Sequence, residues 1–165
     1  MAQEYFLSVH DIVDILLRTG HLDTRIFNQS SRLEGTRLHQ FHQSQQGHDY
    51  HSEVPLKDTF QYKDFIFHVS GKADGLITHS DGSYTIDEIK TTVADLDEFS
   101  KDHSGWHLGQ ARFYAYRFCH QNNIKLIEIQ LTYIKQTDYH IQKRIVNTYS
   151  FSELDQFVKG IIFQY

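Results

Sequence analysis

The chain has 165 residues, 39% hydrophobic and 14% aromatic, long enough to bury the core of one domain. Its formal net charge of −5, with 16 Lys+Arg against 21 Asp+Glu, excludes a global basic field that would hold duplex DNA non-specifically. The lone cysteine, Cys119, excludes an internal disulfide and any four-cysteine zinc or iron–sulfur site built from this chain alone, and it points to a reducing, cytoplasmic setting.

In chain order, the first predicted element is a helix with Ser8 as N-cap, apolar Val9, Ile12, Val13, Leu16 and Leu17 at helical spacing, and Gly20 as its stop. No apolar run approaches the ~20 residues that span a bilayer, and the N-terminus lacks a signal-peptide layout, so neither export nor a membrane partner is expected. A second, polar helix is expected from Ser31 and Glu34, at capping-box spacing, to Gly47. Four β-like runs follow as a meander: "YHSEVPL" to Leu56, "FQYKDFIFHVS" from Phe60, "GKADGLITH" from Gly71 and "SYTIDEIK" from Ser83. Ser80-Asp81-Gly82 reads as a three-residue hairpin loop with glycine at the left-handed position. The polar stretch "TTVADLDEFSKDHSG" reads as a surface loop or a broken helix able to act as a lid. A long helix is then expected from about Trp106 to Gln121, striped by Ala111, Ala115, Phe118 and Cys119 and ended by Asn122-Asn123. Two strands, "IKLIEIQLTYIK" and "YHIQKRIVNTYSF", precede a final amphipathic helix capped by Ser152 and still running at Tyr165, so the expected single domain over residues 1–165 reads as part of a longer chain.

Strand parity sets Glu88 and Lys90 on one face and Asp87 and Ile89 on the other. Counting back from the Ser80-Asp81-Gly82 loop places Asp74 opposite Glu88, with Cβ atoms ~5 Å apart. Like charges so placed cost stability unless compensated, and a hard divalent cation held by two carboxylates is the natural compensation. Lys90, on the same face as Glu88, is then placed to stabilise charge developing on a phosphate. Charged residues on one strand are more often a solvated face, and His39, Glu53 and the Gln110/Tyr114 pair are each weak signals alone. The role of Asp87, as a supporting group or a solvated residue, stays open.

The order of these pieces carries more. Gly35 with His39, Gly71 with Asp74, Glu88 with Lys90 and Gln110 with Tyr114 resemble, in order and spacing, the RecB-like branch of the PD-(D/E)XK nuclease superfamily over residues 31–117. The resemblance implies a restriction-endonuclease-like α/β/α core with a central mixed sheet flanked by helices. It implies Mg²⁺ or Mn²⁺ held by His39, Asp74, Glu88 and the Ile89 carbonyl, with Lys90 catalytic, and Gln110 and Tyr114 supporting the lysine and contacting DNA. Arg37, Lys72, Arg112 and Arg117 are candidate cations for the DNA backbone. Some relatives carry a four-cysteine iron–sulfur cluster, and here only the cluster-free form is possible. The implied activity is phosphodiester hydrolysis, preferentially on single-stranded DNA in repair or recombination, and the implied partner is a helicase domain of a longer chain, as in DinG-like proteins. Two other readings compete: a nuclease fold retired to nucleic-acid binding or structure, and an unrelated module whose aromatic residues line a ligand groove.

Overall fold

A computed structural model describes residues 2–17 and 29–164. The elements are β1 (Gln3–Ser8), α1 (Val9–Leu17), α2 (Gln29–Ser44), β2 (Tyr50–Tyr62), β3 (Phe65–Thr78), β4 (Tyr84–Thr92), α3 (Leu96–Asn122), β5 (Leu126–Lys135), β6 (Asp138–Ser150) and α4 (Phe151–Gln164). The strands form one mixed sheet in the order β1-β3-β4-β5-β6, with β2 also paired to β3. β1 and β3 run parallel, as do β4 and β5, and the other pairs are antiparallel. This is the expected α/β/α plan.

The helix starts are written locally. Ser8 Oγ accepts from Asp11 N at 2.9 Å, and Asp11 Oδ2 accepts from Ser8 N at 3.4 Å, the reciprocal cap that starts α1. The same device starts α4, from Ser150 rather than the expected Ser152: Ser150 Oγ accepts from Glu153 N at 3.1 Å and Glu153 Oε1 accepts from Ser150 N at 3.2 Å. Because α4 buries Leu154, Val158, Ile161 and Ile162, loss of its cap is felt by the whole fold. Ser150→Ala is expected to cost about 1 kcal/mol, read as a lower urea midpoint at unchanged m-value.

Three further expectations are corrected. α2 begins at Gln29, so Ser31 lies inside its first turn and not ahead of it. The meander has three long strands, not four, because backbone pairing runs unbroken through Gly71 and the chain turns at Lys63, in the left-handed region at φ 53°, and Asp64. The expected lid is helix: Asp95 Oδ1 accepts from Asp97 N and Glu98 N, both at 3.1 Å, and α3 then runs unbroken past the exposed Gly105 to Asn123, at φ 57°. Leu96 and Ser100 are buried in that extra length, so packing overrides a weak local pattern. β1 had no signal of its own in the sequence, and the stop expected at Gly20 lies outside the described residues. No described helix is long and apolar enough to cross a membrane.

The core lies between the sheet and α1, α3 and α4, with Val9, Val13, Val69, Ile86, Ala111, Ala115, Ile129, Leu131 and Leu154 among its members. α2 packs on the opposite face. Along β4, Glu88 lies on the α3 side, and neighbouring Asp87 points to His42 of α2.

β3 is forked. Its first half, Phe65 to Ser70, shares one edge with β1, and its second half, Gly75 to Thr78, pairs with β4. Gly71 to Asp74 lie between the two partners. At that gap the backbone is free for chemistry instead of pairing.

Candidate metal centre

The hairpin geometry is as expected. His79 N donates to Ser83 O at 2.9 Å, Gly82 has φ 85°, and the ladder sets Thr78 against Tyr84 and Gly75 against Asp87. One further step places Asp74 against Glu88. There the strands have begun to part, and Asp74 Oδ2 accepts from the backbone N–H of Ile89 at 2.7 Å. The N–H and C=O of one strand residue point to the same side, so the Ile89 carbonyl also faces the gap.

α2 closes the gap with one face. His39 Nε2 lies 3.0 Å from Asp74 Oδ1. One turn on, Gln43 Nε2 donates to Asp74 O at 2.8 Å and to Glu53 Oε1 at 3.0 Å. His39, Glu53 and Asp74 offer ligand atoms within 4.8 Å of one another. Glu53 is the residue that sequence reasoning left without a role. It takes φ 56° in mid-strand, a backbone state costly for a non-glycine residue and one that clusters at functional sites. Tyr50 and Leu56 share parity, yet Leu56 packs with Val9 and Phe113 while Tyr50 reaches Asp87 on the α2 side. The left-handed residue between them turns the strand over. The only signal in the sequence was the acid in "SEVPL" opposite the Gly-x-x-Asp strand.

Glu88 is buried at 4% exposure, with Oε1 3.2 Å from Lys90 Nζ and Oε2 without a partner. Burial first, and Asp74 second, push its pKa up to about 8 against the pull of Lys90. His39 is opposite in sign: burial disfavours its charged form, but the carboxylates of Asp74 and Glu53 outweigh that and raise its pKa. His39 Nε2, although close to Asp74, makes no aligned hydrogen bond. The donor set therefore fits a hard divalent cation: carboxylates, one imidazole and a carbonyl, with orphaned buried atoms on Glu88 and His39.

Asp87 is neither solvated nor part of that set. It is fully buried, accepting from Tyr50 Oη and Thr132 Oγ1 at 2.6 Å each and from Gln130 Nε2 at 3.1 Å, with His42 Nε2 at 3.7 Å. Burial would raise its pKa, but His42 and these hydroxyl and amide donors outweigh it and hold the carboxyl below the usual range. Asp87 thereby fastens β2, β4, β5 and α2 behind the acids.

The remaining expected residues disperse. Tyr114 is buried with its ring against Gly71, where an added Cβ would stand 2.8 Å from Tyr114 Cε1, so the glycine three residues before Asp74 makes room for the tyrosine. Burial and the neighbouring acids raise the phenol's pKa, so it stays protonated. Gln110 does not reach Lys90: its Nε2 lies 2.7 Å from His10 Nδ1 on α1. Arg117 is 3.6 Å from Asp58, which pairs with Val69 five residues before Asp74, and Arg112 stacks on Tyr149 and Phe157. Neither borders the acids. Arg37 is exposed beside Glu34, two residues before His39 and so turned away from it around α2, and Lys72 is exposed two residues before Asp74.

No protein-family model matches the chain, and no curated protein matches it. Among solved structures, the crystal structure of SSO0001 is similar with a TM-score of 0.60 at 18% identity, over 99% of this chain and 78% of that one. That likeness concerns the fold. Scheffersomyces stipitis Rai1 in complex with (3'-NADP)⁺ and calcium ion is similar over 64% of this chain and 27% of that one at 12% identity, with a TM-score of 0.25, too slight to bear on fold or function.

Proposed function

We propose that the protein is a divalent-metal-dependent phosphodiester hydrolase of the RecB-like nuclease type, acting on single-stranded DNA. The observation that carries this reading is the meeting of His39, Glu53 and Asp74, whose ligand atoms lie within 4.8 Å of one another at the fork of β3, beside the buried Glu88, on which Asp74 acts and which has Lys90 at 3.2 Å. Asp74, Glu88, His39 and the Ile89 carbonyl would hold Mg²⁺ or Mn²⁺, and Glu53 lies near enough to His39 and Asp74 to add a ligand beside them. A bound divalent cation supplies Lewis-acid polarisation of phosphoryl oxygens. Lys90 contributes a fixed positive charge, kept at the site by Glu88, that stabilises negative charge growing on the phosphate in the transition state. Asp74 is itself held in place by Ile89 N–H, and Gln43 fixes Glu53. Tyr114, neutral and confined by Gly71, offers a hydroxyl at the inner wall.

Calorimetric titration with Mn²⁺, run beside an assay on single-stranded DNA, tests the reading. A single class of site and metal-dependent hydrolysis are expected. Ligation requires ionised Glu88, so a proton must leave a group whose pKa is about 8, and apparent affinity should rise with pH up to that value and then level. No heat of binding at pH 8 would overturn it.

A further inference from the structure

The part of the sheet before the fork has one face in the core and one in solvent. The register sets Phe6 and Thr59 on either side of His68, Ser8 and Lys57 on either side of Ser70, and Pro55 beside Lys72. Directly paired residues share a face, so these side chains form one surface, opposite core residues Leu56, Phe67 and Val69. Phe6, Ser8, Lys57, Thr59, His68 and Ser70 line a groove there of about 440 Å³.

Two features of this groove are unexplained by folding. Phe6 is 76% exposed, and its ring lies flat on His68, with centroids 4.7 Å apart and planes at 16°. His68 is steadied by Thr59 Oγ1 at 3.3 Å and Glu4 Oε1 at 3.2 Å, so the outer face of Phe6 is presented as a fixed platform. Lys57 and Lys72 are exposed and form no ion pair among the described residues, although the chain carries an excess of acids. The acid beside Lys57, Asp58, is taken by Arg117. Along β3, Lys72, Ser70 and His68 precede Asp74 by two, four and six residues, roughly 7, 13 and 20 Å at ~3.3 Å per residue. The groove therefore leads along one strand to the acids.

We propose that this groove binds the continuation of a single-stranded nucleic acid whose scissile phosphate lies at Asp74 and Glu88, with one base stacked on Phe6 and the intervening phosphates on Lys72 and Lys57. The proposal rests on the hydrolase reading for the position of the scissile phosphate. Stacking on an aromatic face is indifferent to base identity, and it requires an unstacked base, which a duplex does not offer. The groove thus supplies a preference for single strands that the metal centre alone does not.

Binding of a fluorescent oligothymidylate to the full chain, followed by anisotropy, tests it without requiring hydrolysis. Phe6→Ala should weaken binding about tenfold, Phe6→Trp should restore it, and Lys57→Ala should flatten the dependence of log K on log salt by about 0.7. Thermal midpoints of these variants, altered at exposed positions, should match the parent. Affinity unchanged in Phe6→Ala, or a parent protein that binds no oligonucleotide, overturns the groove. Binding that depends on Phe6 in a protein with no metal-dependent hydrolysis would support the groove and overturn the hydrolase reading. Hydrolysis with binding indifferent to Phe6 would do the reverse.

Discussion

Glu88→Gln, Asp74→Asn and Lys90→Ala are each expected to lower hydrolysis of single-stranded DNA by at least about a hundredfold, but for separable reasons. Glu88→Gln and Asp74→Asn remove ligand oxygens and should abolish the heat of Mn²⁺ binding. Lys90→Ala removes only the cation beside Glu88 and should leave metal binding measurable. Glu88→Gln carries a second signature in the ion-free protein. Folded Glu88 keeps its proton up to about pH 8, whereas the unfolded chain loses it near 4.5. Between those values the folded state binds more protons than the unfolded one, so stability falls as pH rises across the window. Glutamine has no proton to lose, and this contribution to the pH dependence should vanish. Hydrolysis surviving all three substitutions would place the chemistry elsewhere.

Asp87→Ala is expected to be the most destabilising of these changes, by about 3–5 kcal/mol. The substitution leaves Tyr50, Thr132 and Gln130 without their shared acceptor, and the buried His42 without the carboxylate beside it. In a domain of this size each kcal/mol moves the thermal midpoint by ~2–4 °C, so a fall of about 10 °C is expected by differential scanning fluorimetry. Tyr50→Phe deletes one donor and should cost less, about 1–2 kcal/mol. Gly75→Ala should resemble it, because a methyl group at Gly75 would overlap the Tyr50 hydroxyl and push it off Asp87. An Asp87→Ala protein as stable as the parent would mean that the network is not a fastening.

The sequence by itself determined the features whose causes are short-range. Gly82 at the hairpin fixed the loop, the loop fixed the register, and the register set Gly75 against Asp87, one step from Asp74 and Glu88, and separated Glu88 from Asp87, because strand parity has a period of two. The caps at Ser8 and Asn123 followed from the same local patterns, whereas the α/β/α plan and the meeting of His39 with Asp74 were what the resemblance carried by the motif order implied.

Only the tertiary structure decided where long-range partners lie. Gln110 meets His10, 100 residues away, instead of Lys90. Glu53 joins the acids because β2 turns over at a left-handed residue, a state that no local propensity predicts for glutamate. Leu96 to Gly105 is helical because Leu96 and Ser100 are buried against the rest of the chain, although their own spacing is a poor helix signal. Asp87 and Glu88, neighbours in sequence, ended with opposed pKa shifts. Alternation sends one to donors from three other segments and the other into a buried position beside the Asp74 carboxylate, and the difference lies in what the remaining chain brings to each face.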